Sequence, residues 1–364
     1  MLRYALYICF FLNLIFFCQL KAQQTEPADT SQKRFHWTLL PIVYYTPETG
    51  LAYGAGGAFT YTFNESIRPS QSTFGVVYTT LDQLLLYVNY RTFWDADRYL
   101  SYGEVGYYKY VYSFYGVGDD ALLSDEQLYK VNFPRVRTSL LFETTTNWYF
   151  GGRFAFDDYR IQNVEKGGEV TGENVRGGRG GITSGLGFVT NHDSRDDQFF
   201  PVKGWFFEGL FLPHVYFLGS DFNFFKASAD VVYYQPLKER MLMAINLYAE
   251  SNLGSEVPFQ QLAMLGGPKK MRGYYEGRFR DKNALILQAE YRWMFWKRFG
   301  MAAFADAARI GGENKTFLSD QTHFTGGAGL RFQLSKSSKL NLRLDVAYTD
   351  DEQANFYLTF GEAF

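Results

Sequence analysis

The chain has 364 residues, with 36 Lys+Arg against 38 Asp+Glu for a formal net charge of −2, and so near-neutral a balance excludes nucleic acid as an expected partner. Aromatics supply 19% of the residues (36 Phe, 28 Tyr and 6 Trp) beside 35 Gly, yet 20% are charged and mean hydropathy is −0.23. Beyond residue 22 no run approaches the roughly 18–20 apolar residues of a spanning helix, and ordinary soluble domains favour Leu, Ala and Val over Phe and Tyr.

Met1–Ala22 is predicted to be a signal peptide. Arg3 precedes the apolar run YALYICFFLNLIFFC, then QLKAQQ follows, with Ala22 before Gln23 as the cut. The run is short for an anchor helix, and Phe17 stands where a lipidation signal at Cys18 would need a small residue. Both cysteines, Cys9 and Cys18, fall in this segment, so the processed chain is expected to have no disulfide and no thiolate chemistry. Residues 23–34 read as a short polar periplasmic segment, and residues 35–364 as one domain.

From Phe35 onward about ten alternating residues and a turn recur. Strands are predicted near residues 36–45, 51–63, 72–80, 83–92, 97–112, 131–143, 148–160, 181–190, 202–213, 221–235, 240–252, 280–295, 299–308, 322–334, 338–348 and 355–364. In LNLRLDVAY, Leu340, Leu342, Leu344, Val346 and Tyr348 share one face, and Asn341, Arg343, Asp345 and Ala347 the other. In Ala284–Phe295 the odd positions Leu285, Leu287, Tyr291, Trp293 and Phe295 oppose Gln288, Glu290 and Arg292. A β-sandwich alternates too. The export signal, the aromatic load and apolar faces ending in Tyr or Trp favour a membrane barrel. The long connections Ser113–Lys130, Ile161–Gly180, Leu253–Phe279 and Arg309–Gln321 all follow odd-numbered strands, whereas most even-numbered strands end in tight turns. The predicted fold is therefore all-β: a transmembrane antiparallel barrel of 16 strands, long loops outside and both termini in the periplasm. An even, closed count leaves no strand edge in hydrocarbon.

One connection stands out. Leu253–Phe279 carries Gly266, Gly267, Gly273 and Gly277 among Lys269, Lys270, Arg272 and Arg278, with Arg280 just beyond. Glycines allow close backbone approach, and the basic residues need acidic partners if the loop folds inward. Glu290 lies on the wet face of the next strand, and Asp306 shares a face with Phe304 on the strand after it.

At this loop the sequence resembles a known family. MRGYYEGRFRDKN is similar to the arginine-glycine-aromatic lid motif of the BamA/TamA superfamily of outer-membrane barrels, also called bacterial surface antigens. VTNHDSRDDQFFPVKGW, with Asp193, Arg195, Asp196, Pro201 and Gly204, resembles the family's turn. FADAA resembles its Phe-x-Asp strand and GGAGLRFQL its late glycine-rich strand. The aromatic close NFYLTFGEAF supplies Phe356, Leu358, Phe360 and Phe364 as a C-terminal assembly signal. Motifs cover roughly residues 181–364, and five predicted strands follow the lid, as the family pattern expects.

The resemblance implies an external lid loop folded into the lumen, Arg272 pairing with Glu290 and Asp306, with Gly273 and Tyr274 shaping the tip and Phe304 among the lumen partners of the lid. It also implies a Gram-negative outer-membrane protein that assists insertion or translocation of proteins through a lid-gated lumen and a seam between first and last strands. The alternative is a passive or plugged channel, or a structural barrel without insertase activity. Two departures stand out: Met271 replaces the usual Val or Ile, and the sequence reads as a short form lacking periplasmic POTRA domains. Expected partners are outer-membrane lipids, client outer-membrane proteins or an assembly partner. No enzyme activity, cofactor or metal is expected. His36, His192, His214 and His323 lack ligand spacing, and GGRGG (residues 177–181) lacks the strand-to-helix setting of a phosphate loop.

Overall fold

Burial along the strands is inverted relative to a soluble sheet. In the segment Asn341–Thr349 the polar Arg343 and Asp345 are 2% and 0% exposed, while Val346 and Tyr348 are 40% and 61% exposed. Leu285, Leu287, Trp293 and Phe295 likewise face out, and Gln288, Glu290 and Arg292 are buried. An apolar exterior around a polar interior is what lipid outside and a wet lumen inside require.

The computed structural model describes residues 35–364 apart from 64, 65, 67, 165–169, 171–174, 199, 313–318 and 335–339. The expected signal peptide (1–22) and the 23–34 segment lie outside the described residues. Among the described residues eighteen strands are formed: β1 Phe35–Thr46, β2 Gly50–Tyr61, β3 Ser70–Thr79, β4 Leu84–Trp94, β5 Tyr99–Phe114, β6 Gln127–Thr145, β7 Trp148–Val164, β8 Gly181–Asp193, β9 Gly204–His214, β10 Phe224–Lys238, β11 Met241–Leu253, β12 Ala263–Leu265, β13 Phe279–Asp281, β14 Asn283–Trp296, β15 Phe299–Gly311, β16 His323–Gln333, β17 Asn341–Thr349 and β18 Ala354–Phe360. Sixteen close into an antiparallel barrel in chain order, β11 pairing with β14 and β18 with β1. β12 and β13 form a separate hairpin between β11 and β14. The closed sixteen-strand barrel predicted from the alternation is observed. The connections 115–126, 165–180, 254–282 and 312–322 all leave from one rim, the outer one in the orientation assigned from the sequence.

The closure is uneven. All twelve residues of β1 are in register with β2, but β1 meets β18 at one register pair, Tyr45↔Leu358. The cause is at the end of β18. Predicted to run to Phe364, it stops at Phe360, where Gly361 adopts φ +77° and turns the chain inward. A residue with a Cβ is disfavoured at that φ. The first half of β1 therefore has no register partner on the β18 side among the described residues. Phe35, Trp37 and Leu39 there are 55–59% exposed on its outer face, and Pro41, which offers no N–H, suits a strand at an edge.

Candidate functional site in the barrel lumen

The connection 254–282 lies against the inner wall. Its base is closed by the β12–β13 pairs Ala263↔Asp281 and Leu265↔Phe279. Its tip is tied by Gly267 N–H to Tyr274 O (3.0 Å) and Gly277 N–H to Leu265 O (2.9 Å). Leu265, Met271 and Tyr274, all fully buried, pack with Phe279 against Ile286 of β14 and Ala308 and Ile310 of β15. Burying this apolar set fixes the loop to the β14–β15 wall.

That packing presents Arg272 to the wall. Its side chain is fully buried, with Nη2 2.6 Å from Glu290 Oε2 and Nη1 donating to Asp345 Oδ2 at 2.8 Å. The guanidinium carbon lies 3.5 Å from the centroid of the Phe304 ring, a cation–π stack. Burial opposes the positive charge, but Glu290, Asp345 and, at longer range, Asp306 outweigh it and hold Arg272 above its usual range. Tyr274 sends its hydroxyl to Asp350, while Gly273 N–H donates to Tyr357 Oη at 2.9 Å.

One expected pairing is corrected. Asp306 makes no ion pair with Arg272. It accepts hydrogen bonds from Gln288 and Thr325, each at 3.3 Å, its register neighbours on β14 and β16. The second carboxylate at Arg272 is Asp345 instead. The glycine-rich strand β16 makes room for it: a Cβ on Gly329 would lie 1.9 Å from Asp345 Oδ1. Asp345 lies two strands beyond Asp306 in the barrel order, and the bare Gly329 leaves the space its carboxylate occupies.

The constellation is larger than the sequence indicated. Arg292 Nε lies 2.6 Å from Glu290 Oε1, and Arg331 Nη1 2.5 Å from Asp345 Oδ1. Arg343 bonds Pro268 O at 2.7 Å and lies 3.3 Å from Asp345. The inward-turned tail adds Glu362, 2.9 Å from Arg331 Nε and 3.6 Å from Arg292 Nε. Four buried arginines thus surround Glu290, Asp345 and Glu362. The wet-face pattern of β17 exposed Arg343 and Asp345 as lumenal. Nothing in the sequence pattern pointed to Glu362, which lay in a predicted strand.

Phe364 is the second correction. Phe356 and Phe360 do face outward, with Leu358 on the same side of β18. Phe364, however, lies inside against Phe200, Tyr234 and Leu242, and its carbonyl accepts from Arg292 Nη2 at 3.0 Å. The pull of Arg331 and Arg292 on Glu362 carries it there. The turn residues form a local structure. Arg195 grips Asp193 through Nε and Nη2, both at 2.8 Å, and Asp196 Oδ1 accepts Val202 N–H at 2.9 Å. Pro201 is buried beside them, and Gly204 opens β9. With Glu362 and Phe364, Arg195 and Pro201 line a cavity of about 170 Å³.

The loop also touches the far side of the seam. Glu276 N–H donates to Glu48 Oε1, in the β1–β2 turn, at 3.0 Å. Burial, and then the neighbouring Glu276, push Glu48 up to about 7. Lys270 bonds Asp230 at 3.3 Å, and burial lowers it to about 8. His192 stacks on Trp148 (ring centroids 4.7 Å apart), and no cluster of three metal-ligating side chains occurs among the described residues.

A closed barrel, polar within, apolar without and holding a long loop on an arginine-carboxylate network, is an outer-membrane type of architecture. The Omp85 superfamily domain matches residues 72–364, and the chain belongs to that superfamily. Among solved structures it is similar to BamA from Haemophilus ducreyi lacking POTRA domains 1–3, with TM-score 0.61 and 16% identity over 93% of this chain and 74% of that one. CdiB from Acinetobacter baumannii gives TM-score 0.58 and 13% identity over 90% of this chain. CdiB from Escherichia coli gives 0.60 and 11% over 92%. This chain spans 60% and 63% of those two CdiB chains. At these identities the likeness is one of fold. No curated protein matches the sequence. Family and fold are consistent with the Gram-negative outer membrane.

Proposed function

We propose that this barrel assists the insertion or translocation of proteins at the outer membrane, reached after signal-peptide cleavage near Ala22. The carrying observation is the seam. β1 is in register with β2 along its whole length but meets β18 at one register pair, so its first half offers backbone donors and acceptors to an incoming strand. The loop 254–282 acts as the lid, with Arg272 as its lock. Membership of the Omp85 superfamily supports the reading. The partners are lipids and client outer-membrane proteins, with an assembly partner to deliver them. No catalytic residue is assigned.

A cysteine pair at Tyr45 and Leu358, which are in register, tests the seam. The stapled barrel folds but loses function; normal function of the stapled protein refutes the role. The buried network around Arg272 favours a second reading, a barrel permanently plugged by its loop. Depletion separates the two. Loss of other outer-membrane proteins supports insertion, and loss of one small solute's uptake supports the plugged channel.

A further inference from the structure

The five residues 272–276 touch both sides of the seam from within. On the β18 side, Asn355 Nδ2 donates to Gly273 O at 2.6 Å, and the Tyr357 hydroxyl donates to Tyr274 O at 3.2 Å while accepting Gly273 N–H. On the β1 side, the same stretch ends in the bond from Glu276 N–H to Glu48 Oε1. Glu48 is 1% exposed, and its other oxygen, Oε2, is buried without a hydrogen-bond partner. The turn that carries it is pinned by Gln83 Nε2 donating to Glu48 O at 2.8 Å. Neither Glu48 nor Glu276 has an ion-pair partner within 4.0 Å among the described residues.

We propose that residues 273–276 form a proton-controlled strap across the outer end of the seam, held when Glu48 is protonated and loosened when Glu48 and Glu276 are both charged. A protonated Glu48 gains a donor for its orphaned oxygen while its other oxygen keeps the Glu276 N–H. Once ionised, it sets a second buried negative charge beside Glu276. The surroundings determine which carboxyl takes the proton. Glu276 feels Arg135 of β6, Arg280 of β13 and Lys269 of the loop. It also faces the phenols of Tyr112 and Tyr129. Glu48 faces Glu276, Tyr110, Tyr275 and Tyr357, with hydroxyl help only from Thr46 in its own turn. Burial raises Glu276 as well, but those cations oppose it, whereas no cation lies within 4.0 Å of Glu48 among the described residues; Glu48 is therefore the switch.

The sign follows from its raised affinity for a proton. The strap's hold is complete below the ordinary carboxylate range and is lost as pH rises through about 7. The strap acts at the seam's outer end and holds or releases it whether or not client strands pass there.

Nitroxide labels at Leu51 on β2 and Tyr348 on β17, both outward-facing and 40% and 61% exposed, flank the seam. In the full barrel reconstituted in lipid, the distance between labels is expected to lengthen and broaden from pH 5.5 to 8.5, with its midpoint near pH 7. Glu48→Gln, whose uncharged amide keeps an oxygen that accepts the Glu276 N–H at every pH, is expected to hold the short distance throughout. Glu276→Gln removes the repulsion from the other side and should flatten the profile as well. A pH-independent distance in the unsubstituted protein overturns the proposal, as does an unaltered profile in either folded variant.

Discussion

Arg272→Ala tests whether the ion network fixes the loop. Breaking a buried ion pair from one side costs about 3–5 kcal/mol, chiefly because a charge is left alone. Here neither carboxylate is orphaned. Glu290 keeps Arg292 at 2.6 Å and Arg331 at 3.4 Å, and Asp345 keeps Arg331 at 2.5 Å and Arg343 at 3.3 Å. That places the ionic loss near the lower figure, about 3 kcal/mol. The stack on Phe304 disappears as well, worth up to about 2 kcal/mol where desolvated. At about 1.4 kcal/mol per tenfold, the undocked loop should become roughly 100- to 4,000-fold more populated. Chymotrypsin measures this, because Tyr274 and Tyr275 at the loop tip are intact in both proteins. Cleavage at the tip should accelerate, and single-channel conductance in planar bilayers should rise. Lys238→Ala, at the end of β10, is the control, since that side chain is exposed and makes no ion pair among the described residues. Unchanged cleavage and conductance in Arg272→Ala would show that apolar packing alone seats the loop.

Gly329→Ala should cost about 1–3 kcal/mol or more by overpacking, since its Cβ would fall 1.9 Å from Asp345 Oδ1. The readout is the temperature at which the folded barrel loses its compact gel mobility, and an unmoved midpoint would show that the gap in β16 is dispensable. Glu362→Gln weakens the tail's hold on Arg331 and Arg292, so amides 362–364 should exchange hydrogen faster than those of β17. Equal protection in variant and parent would assign the inward turn to Gly361 and Phe364 alone.

The barrel was legible because a period of two needs only face preference. Leu285, Leu287 and Trp293 against Gln288, Glu290 and Arg292 already encode inside and outside. Height along the lumen is not encoded in that way. Asp306 and Asp345 both read as wet-face acids, and only strand register decides which lies level with Arg272. Phe304 lies level with Glu290 across β14–β15 and meets the guanidinium because the two strands are adjacent. Asp345 comes from two strands away, across a glycine gap whose significance is volumetric. The tail failed for another reason. NFYLTFGEAF alternates like a strand, and its departure at Gly361 is driven by arginines far off in the sequence. The Glu48 contact joins residues 228 apart, which no local pattern can reveal.

The spacing of the network's members has a kinetic consequence. Arg272, Glu290, Arg292, Phe304, Arg331, Arg343, Asp345 and Glu362 all belong to the last hundred or so residues of the sequence given. That part of the chain can gather its charges around the loop while the N-terminal strands are still unassembled, because its contacts are comparatively local. The bond from Glu276 to Glu48 joins this part of the chain to the β1–β2 turn and has to await ring closure. Assembly thus has an intrinsic order: an inner hub condenses first, and the contact bridging the final joint is made last.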